Sequence, residues 1–145
     1  MNDKISALIA QYESDGDFTH VAPTAEMLEE AQSRLGVVIP QQFVDYLNAY
    51  SHGGIGGIEI LGIGLTGKMV FLDATLRYRE HGLPNNLLVV ENCDEWLYCL
   101  DCDNGKVVSW SQIDGTRCEY PSFDDFLIQD LEDAIANLYH KTPRA

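Results

Sequence analysis

Cysteines, histidines and a dense set of carboxylates are the residues that could do chemistry in this chain. Cys99-x-x-Cys102 has the spacing of half a structural zinc site. Such a site generally wants four ligands, usually two such pairs, and here Cys93 and Cys118 stand alone. If Cys99 lies in a strand, Cys102 points to the opposite face. No metal and no cofactor are therefore expected, and the thiols read as small buried hydrophobes. A Cys–His nucleophile would need a cysteine beside His20, His52, His81 or His140, and no spacing marks one. Asp124-Asp125 could do acid–base work, but at a helix start capping and dipole complementarity explain both. Gly62, Gly64 and Gly67 match neither common phosphate-cradling glycine pattern, so bends are expected there.

The remaining chemistry is charge. Lys and Arg total 9 against 23 Asp and Glu, a formal net charge of −14. From Glu91 to Asp133 there are twelve acids and two bases (Lys106 and Arg117), a balance of −10. Such a surface repels nucleic acid and anionic membranes and suits a protein with a basic face. Glu91, Asp94, Glu95, Asp101 and Asp103 gather around two turns, with Trp96 between them. These six form the expected partner-binding set, because charge steers encounters and aromatics often carry hot spots. The plainer alternative is a solvated acidic face and a tryptophan in the core.

At 145 residues one domain, 1–145, is the default, with its core over about 24–140. Hydrophobic residues make up 46%, which argues against disorder. No apolar run approaches the roughly 18–20 residues needed to span a bilayer. Met1-Asn2-Asp3-Lys4 lacks the marks of a signal peptide, so a cytoplasmic location and reduced thiols are expected.

The elements that must position these residues are organised around Leu35 to Gly54. Gly36 suits the left-handed residue past a helix end, and Pro40 the first turn of the next helix. Gln42 is placed to reach back to the Ile39 N–H, and Val38 to staple onto Phe43. Phe43, Tyr46, Leu47 and Tyr50 recur on one helical face, and Gly53-Gly54 ends that helix. As a DNA-reading helix-turn-helix this corner lacks the Lys and Arg that would meet phosphates.

Upstream, helices are expected at Asp3 to Tyr12 and from the Thr24 cap to about Leu35. Downstream, strands are expected at Gly57 to Ile63, Met69 to Leu72, Leu87 to Val90 and Glu95 to Asp101. Asp73 is expected to cap a short helix ending near Gly82. Asp103-Asn104-Gly105 signals a hairpin to Lys106–Trp110, and Asp114-Gly115 a turn to an edge strand over Thr116–Tyr120. Ser122 caps a last helix whose stripe is Phe123, Phe126, Leu127, Leu131, Ala134, Ile135 and Leu138. Asp130, Glu132 and Asp133 are placed on or near its other face. A tail is expected from Lys141 to Ala145.

The run LGVVIPQQFVDYLNAYSHGG resembles the opening signature of the SUKH superfamily, which includes fungal cell-wall-assembly regulators and many bacterial immunity proteins. The resemblance continues through Leu83-Pro84, the strand Leu87–Val90 and the run from Glu91 to Asp101. It extends to Asn104–Trp110 and to Ser122-Phe123-Asp124-Asp125-Phe126-Leu127, and spans roughly Thr24 to Leu138. The bend before Trp96, Asn-Cys-Asp-Glu, is less glycine-rich than the family pattern. The signature positions are Gly36, Pro40, Phe43, Tyr50, Gly53, Gly54, Trp110, Phe123 and Phe126. The resemblance implies an α+β domain with a twisted, mainly antiparallel sheet flanked by N-terminal helices and a C-terminal helix. It also implies a non-catalytic protein, with no shared cofactor, that binds and most often neutralises a cognate bacterial toxin. The acidic charge, taken with that habit, makes a nuclease with a basic face the natural partner. The other class left open is a small hydrolase or metal-dependent enzyme using Cys/His or paired carboxylates.

Overall fold

Three helices lead the chain: α1 (Asp3–Tyr12), α2 (Ala25–Leu35) and α3 (Gln41–Ala49). After α4 (Val70–Arg79) come four strands, β1 (Leu87–Asn92), β2 (Leu97–Asp101), β3 (Val107–Ser111) and β4 (Gly115–Tyr120), and then α5 (Phe123–Lys141). The strands form one antiparallel sheet in the order β1-β2-β3-β4. The α+β architecture expected from the sequence is what the chain adopts. The structure, a computed structural model, describes residues 1–141, with side chains given through residue 138. Lys141, where a tail was expected to begin, is the last residue of α5, and the rest of that tail, 142–145, falls outside the described residues.

Local caps set the helices. The Asn2 side chain accepts the Lys4 and Ile5 N–H groups, and the Thr24 hydroxyl accepts that of Met27. Gly36 ends α2 in the left-handed region at φ 70. The corner then departs from expectation in three ways. Pro40 is the residue before the helix rather than its first turn. Gln32, one turn before the end of α2, accepts the Ile39 N–H at 2.9 Å, which frees Gln42 to accept the Asp124 N–H at the start of α5. Val38 is 76% exposed and staples nothing; Ile39 is the buried anchor.

The left-handed residue after α3 is Ser51, at φ 64, not a glycine. Its buried hydroxyl accepts the Ile63 N–H at 2.9 Å, and its own N–H returns to the Tyr46 carbonyl. Gly53 and Gly54 serve a different need. A Cβ on Gly53 would lie 1.9 Å from the Asp17 carbonyl oxygen, and one on Gly54 2.2 Å from that of Ile58. Close backbone approach, rather than helix termination, fixes both residues as glycine.

The strand expected over Gly57 to Ile63 reduces to single bridges, Ile60 with Gly53 and Glu91, and Ile63 with Met69. Gly56 and Gly57 both have positive φ, which breaks the extended run that a ladder needs. Met69–Leu72 is not a strand either: α4 begins at Val70, so Asp73 lies within the first turn and pairs with Lys68 at 3.8 Å. Thr75 ties α4 to the sheet; its hydroxyl donates to the Phe71 carbonyl and accepts the Val89 N–H.

One core joins these layers. Phe43 meets Phe71 and Phe123 edge-on at 5.5 and 5.3 Å, and Phe126 lies 5.1 Å from the Tyr98 ring on β2. The expected α5 stripe is buried from Phe123 to Ile135; Leu138, its last member, is 43% exposed. Ile5 and Ile9 are buried in the same cluster, so α1 belongs to the core upstream of the expected start near residue 24.

Candidate functional site

The two acidic turns lie at opposite ends of β2. The Cys93–Trp96 bend joins β1 to β2, and the Asp101–Lys106 hairpin joins β2 to β3. At about 3.3 Å per residue, Glu95 and Asp103 stand on the order of 20–25 Å apart. They do not form one patch, because consecutive turns of an up-and-down meander alternate between its ends. The turn that does come beside Trp96 is the one between β3 and β4, since Leu97 pairs with Trp110 and Ser111 with Gly115.

The Trp96 bend is tight and pre-shaped. Asp94 takes a left-handed φ of 66, and its N–H is accepted by the Asn92 side chain at 2.9 Å. The Cys93 N–H donates to the Trp96 carbonyl. An Asx-type turn with a left-handed aspartate thus does what glycines do elsewhere in the family pattern. Asp94 and Glu95 are exposed, and Trp96 is 39% exposed. A groove lies on each side of Trp96. One, of about 550 Å³, is lined by Glu95, Tyr98, Asp114, Arg117 and Glu119. The other, of about 370 Å³, includes Tyr78, His81 and Ile113, the last 94% exposed. Trp110, itself buried, contributes to both.

The other end of β2 is structural in character. Asp101 is half-buried, and its carboxylate accepts the Asp103 N–H and the Asn86 side-chain amide. Its backbone carbonyl accepts from Gly105, whose φ is 77. Of the acids expected here, Asp103 is the one left exposed.

Glu91 leaves the expected partner-binding set. It is 6% exposed and lies against Asp130 of α5, which was placed on or near the solvated face. A bulge between Val89 and Glu91 brings Glu91 opposite Tyr98, on the face that α5 covers. Burial first, and then the hydrogen bond with Asp130, push the Glu91 carboxyl up to about 10. Burial also raises Asp130. Two carboxyl groups in contact and out of water cannot both ionise, so the pair holds one proton between them near neutral pH. Among the described residues Glu91 Oε1, Asp130 Oδ2 and the nearby Tyr46 hydroxyl are buried without a hydrogen-bond partner.

Several of the residues weighed for catalysis are held locally, while Cys118 is exposed and the His140 side chain lies outside those described. The Ser122 hydroxyl accepts the Asp125 N–H and donates to its carboxylate. His20 hydrogen bonds to Glu13, which raises its pKa. His52 Nδ1 accepts the Gly62 N–H. Burial raises the Cys99 thiol and pushes Cys93 and Cys102 up to about 12, so all three stay protonated. Among the described residues no three His, Cys, Asp or Glu side chains gather as metal ligands. No helix among them is long and apolar enough to cross a membrane.

Asp114, Arg117 and Glu119, the second half of the candidate site, lie outside the partner-binding set expected from the sequence. The signal that could have found it is the meander itself: in successive hairpins every second turn shares an end of the sheet.

Comparison with known proteins agrees with this architecture. A crystal structure of a protein from Pseudomonas syringae pv. tomato is similar in fold, with a TM-score of 0.63 over 81% of this chain and 89% of that one, at 21% sequence identity. The SUKH_5 profile, described as SMI1-KNR4 cell-wall, matches residues 5–132. That match runs from Ile5 within α1 to Glu132 within α5 and takes in every element between them, and the chain belongs to this family of the SUKH superfamily.

Proposed function

We infer that this protein is a non-catalytic immunity protein, acting in the cytoplasm, that neutralises a cognate bacterial toxin by binding it. One observation carries the reading: a half-exposed tryptophan on a rigid bend, with a groove on either side and Asp94, Glu95 and Asp114 around it. An aromatic that offers buriable surface inside a charged rim is the usual anatomy of a binding hot spot. Membership of the superfamily supports a protein partner, and the net charge of −14 favours a basic one. A nuclease toxin fits, since its nucleic-acid site is basic and an acidic inhibitor can cover it. The partner-binding residues in this reading are Asp94, Glu95, Trp96 and Asp114; Asp103 lies at the far end of the sheet.

The test is co-expression with the product of the adjacent gene. A stable complex that removes the toxin's activity at equimolar ratio is expected, and Trp96→Ala should weaken it by roughly tenfold or more, as hot-spot truncations do. Failure of the two proteins to associate at low salt would rule this pairing out.

A further inference from the structure

We propose that the groove between Trp96 and β4 seats an arginine side chain of a basic protein partner, a refinement that rests on the partner-binding reading above. The Trp96 and Tyr98 rings stand at 89° with centroids 6.1 Å apart, and burial holds Tyr98 as a neutral phenol, its pKa pushed up to about 12. Trp96, partly exposed, offers its ring to a cation entering the groove. A guanidinium is planar and weakly hydrated, so it stacks on such a ring with little desolvation cost. Glu95, Asp114 and Glu119 line the same groove, and among the described residues none of them makes an ion pair. The Ser109 hydroxyl donates to Glu119 Oε1 at 2.9 Å, which steadies that carboxylate. Carboxylates beside an aromatic wall satisfy both the charge and the in-plane N–H donors of arginine. Lysine would supply the charge without the flat face or the forked donors. Arg117, the groove's own cation, lies across the strands from Ser109 and leaves a balance of two negative charges.

The full chain, labelled with nitrogen-15, is titrated with acetyl-Gly-Arg-Gly-amide and with its lysine and citrulline counterparts. The arginine peptide should give saturable shifts centred on the Trp96 indole, Tyr98, Ser109 and Thr116. The lysine peptide should bind about threefold or more weakly, and the neutral citrulline peptide should give no saturable shift. Trp96→Ala and Glu119→Gln should each weaken arginine binding, and Arg117→Gln should strengthen it by removing a like charge. Equal binding of arginine and lysine would overturn the proposal, as would shifts centred on the Asp101–Gly105 hairpin or an unchanged affinity in Arg117→Gln. The toxin separates this inference from the reading beneath it. A toxin weakened by Trp96→Ala but bound equally by wild type and Glu119→Gln sinks the arginine seat and leaves the partner reading. A peptide seated in the groove of a protein that binds no toxin does the reverse.

Discussion

The carboxyl groups of Glu91 on β1 and Asp130 on α5 meet across the interface between the sheet and the last helix, where burial raises the pKa of both. The stability of the fold should therefore depend on pH. The Glu91 carboxyl is raised from its ordinary value near 4.5 to about 10 in the folded chain. A group whose folded pKa is raised contributes most stability below its unfolded pKa and loses it as pH rises toward the folded value. Stability should therefore fall from about pH 5 to pH 9. The charged groups facing the pair, Asp133 near Asp130 and Asp94 near Cys93 on the same bend, add like charge and leave the sign unchanged. Urea midpoints measured at pH 5.5 and 8.5 would show it, and a higher midpoint at the alkaline end would contradict it.

Glu91→Gln should flatten that dependence. The amide can donate to Asp130 without needing a shared proton, so the variant should be more stable than wild type at pH 8.5, by about 1 kcal/mol or more. Equal slopes of stability against pH in the two proteins would mean the pair is not the source.

The glycines separate conformation from contact. Gly36 and Gly53 both have positive φ, but a Cβ on Gly36 meets nothing within 4 Å, whereas one on Gly53 meets the Asp17 carbonyl at 1.9 Å. Gly36→Ala should cost about 1–2 kcal/mol, the strain of a left-handed residue. Gly53→Ala should cost more than about 3 kcal/mol, because two backbone segments must part. Similar losses in denaturant melts would place the two glycines in one class.

What was legible in the sequence follows the range of the forces involved. Caps and periodic apolar faces act within a turn or two, so α1, α2, α3 and α5 and the hairpin at Gly105 could be read directly. Residues 57–72 could not. Their glycines and short apolar pieces are placed by Ser51, which accepts the Ile63 N–H, and by Val90, which accepts that of Leu61, partners distant along the chain. The Val89–Glu91 bulge likewise turns Glu91 inward where simple alternation left it among the surface acids. Half of the site was legible as a tryptophan among acids; the other half depends on which turns share an end of the sheet.

Phe126 measures the core. It is fully buried against Tyr98, Tyr120 and Phe123, so Phe126→Ala should cost roughly 3–5 kcal/mol. A loss below about 1 kcal/mol would mean that α5 does not pack on this face.

The two acidic turns allow the partner interface to be located by charge reversal. Asp94→Lys with Glu95→Lys changes the end of the sheet that carries Trp96. Asp103→Lys changes the other end, on the order of 20–25 Å away, beyond the screening length of about 8–10 Å at physiological ionic strength. All three side chains are exposed, so the fold should tolerate either variant, although the left-handed backbone at residue 94 should cost the double variant about 1 kcal/mol. If a basic toxin docks over Trp96, the double variant should slow association by about tenfold or more at low salt, and this difference should shrink as salt is added. Asp103→Lys should leave the rate within about twofold of wild type, since its field reaches the bend only through screened solvent. The dissociation rate should respond less in both variants, because exposed rim charges act mainly on the encounter. Stopped-flow measurements across a salt series separate the two ends. A rate controlled by Asp103 and indifferent to Asp94 and Glu95 would move the interface to the hairpin end of the sheet.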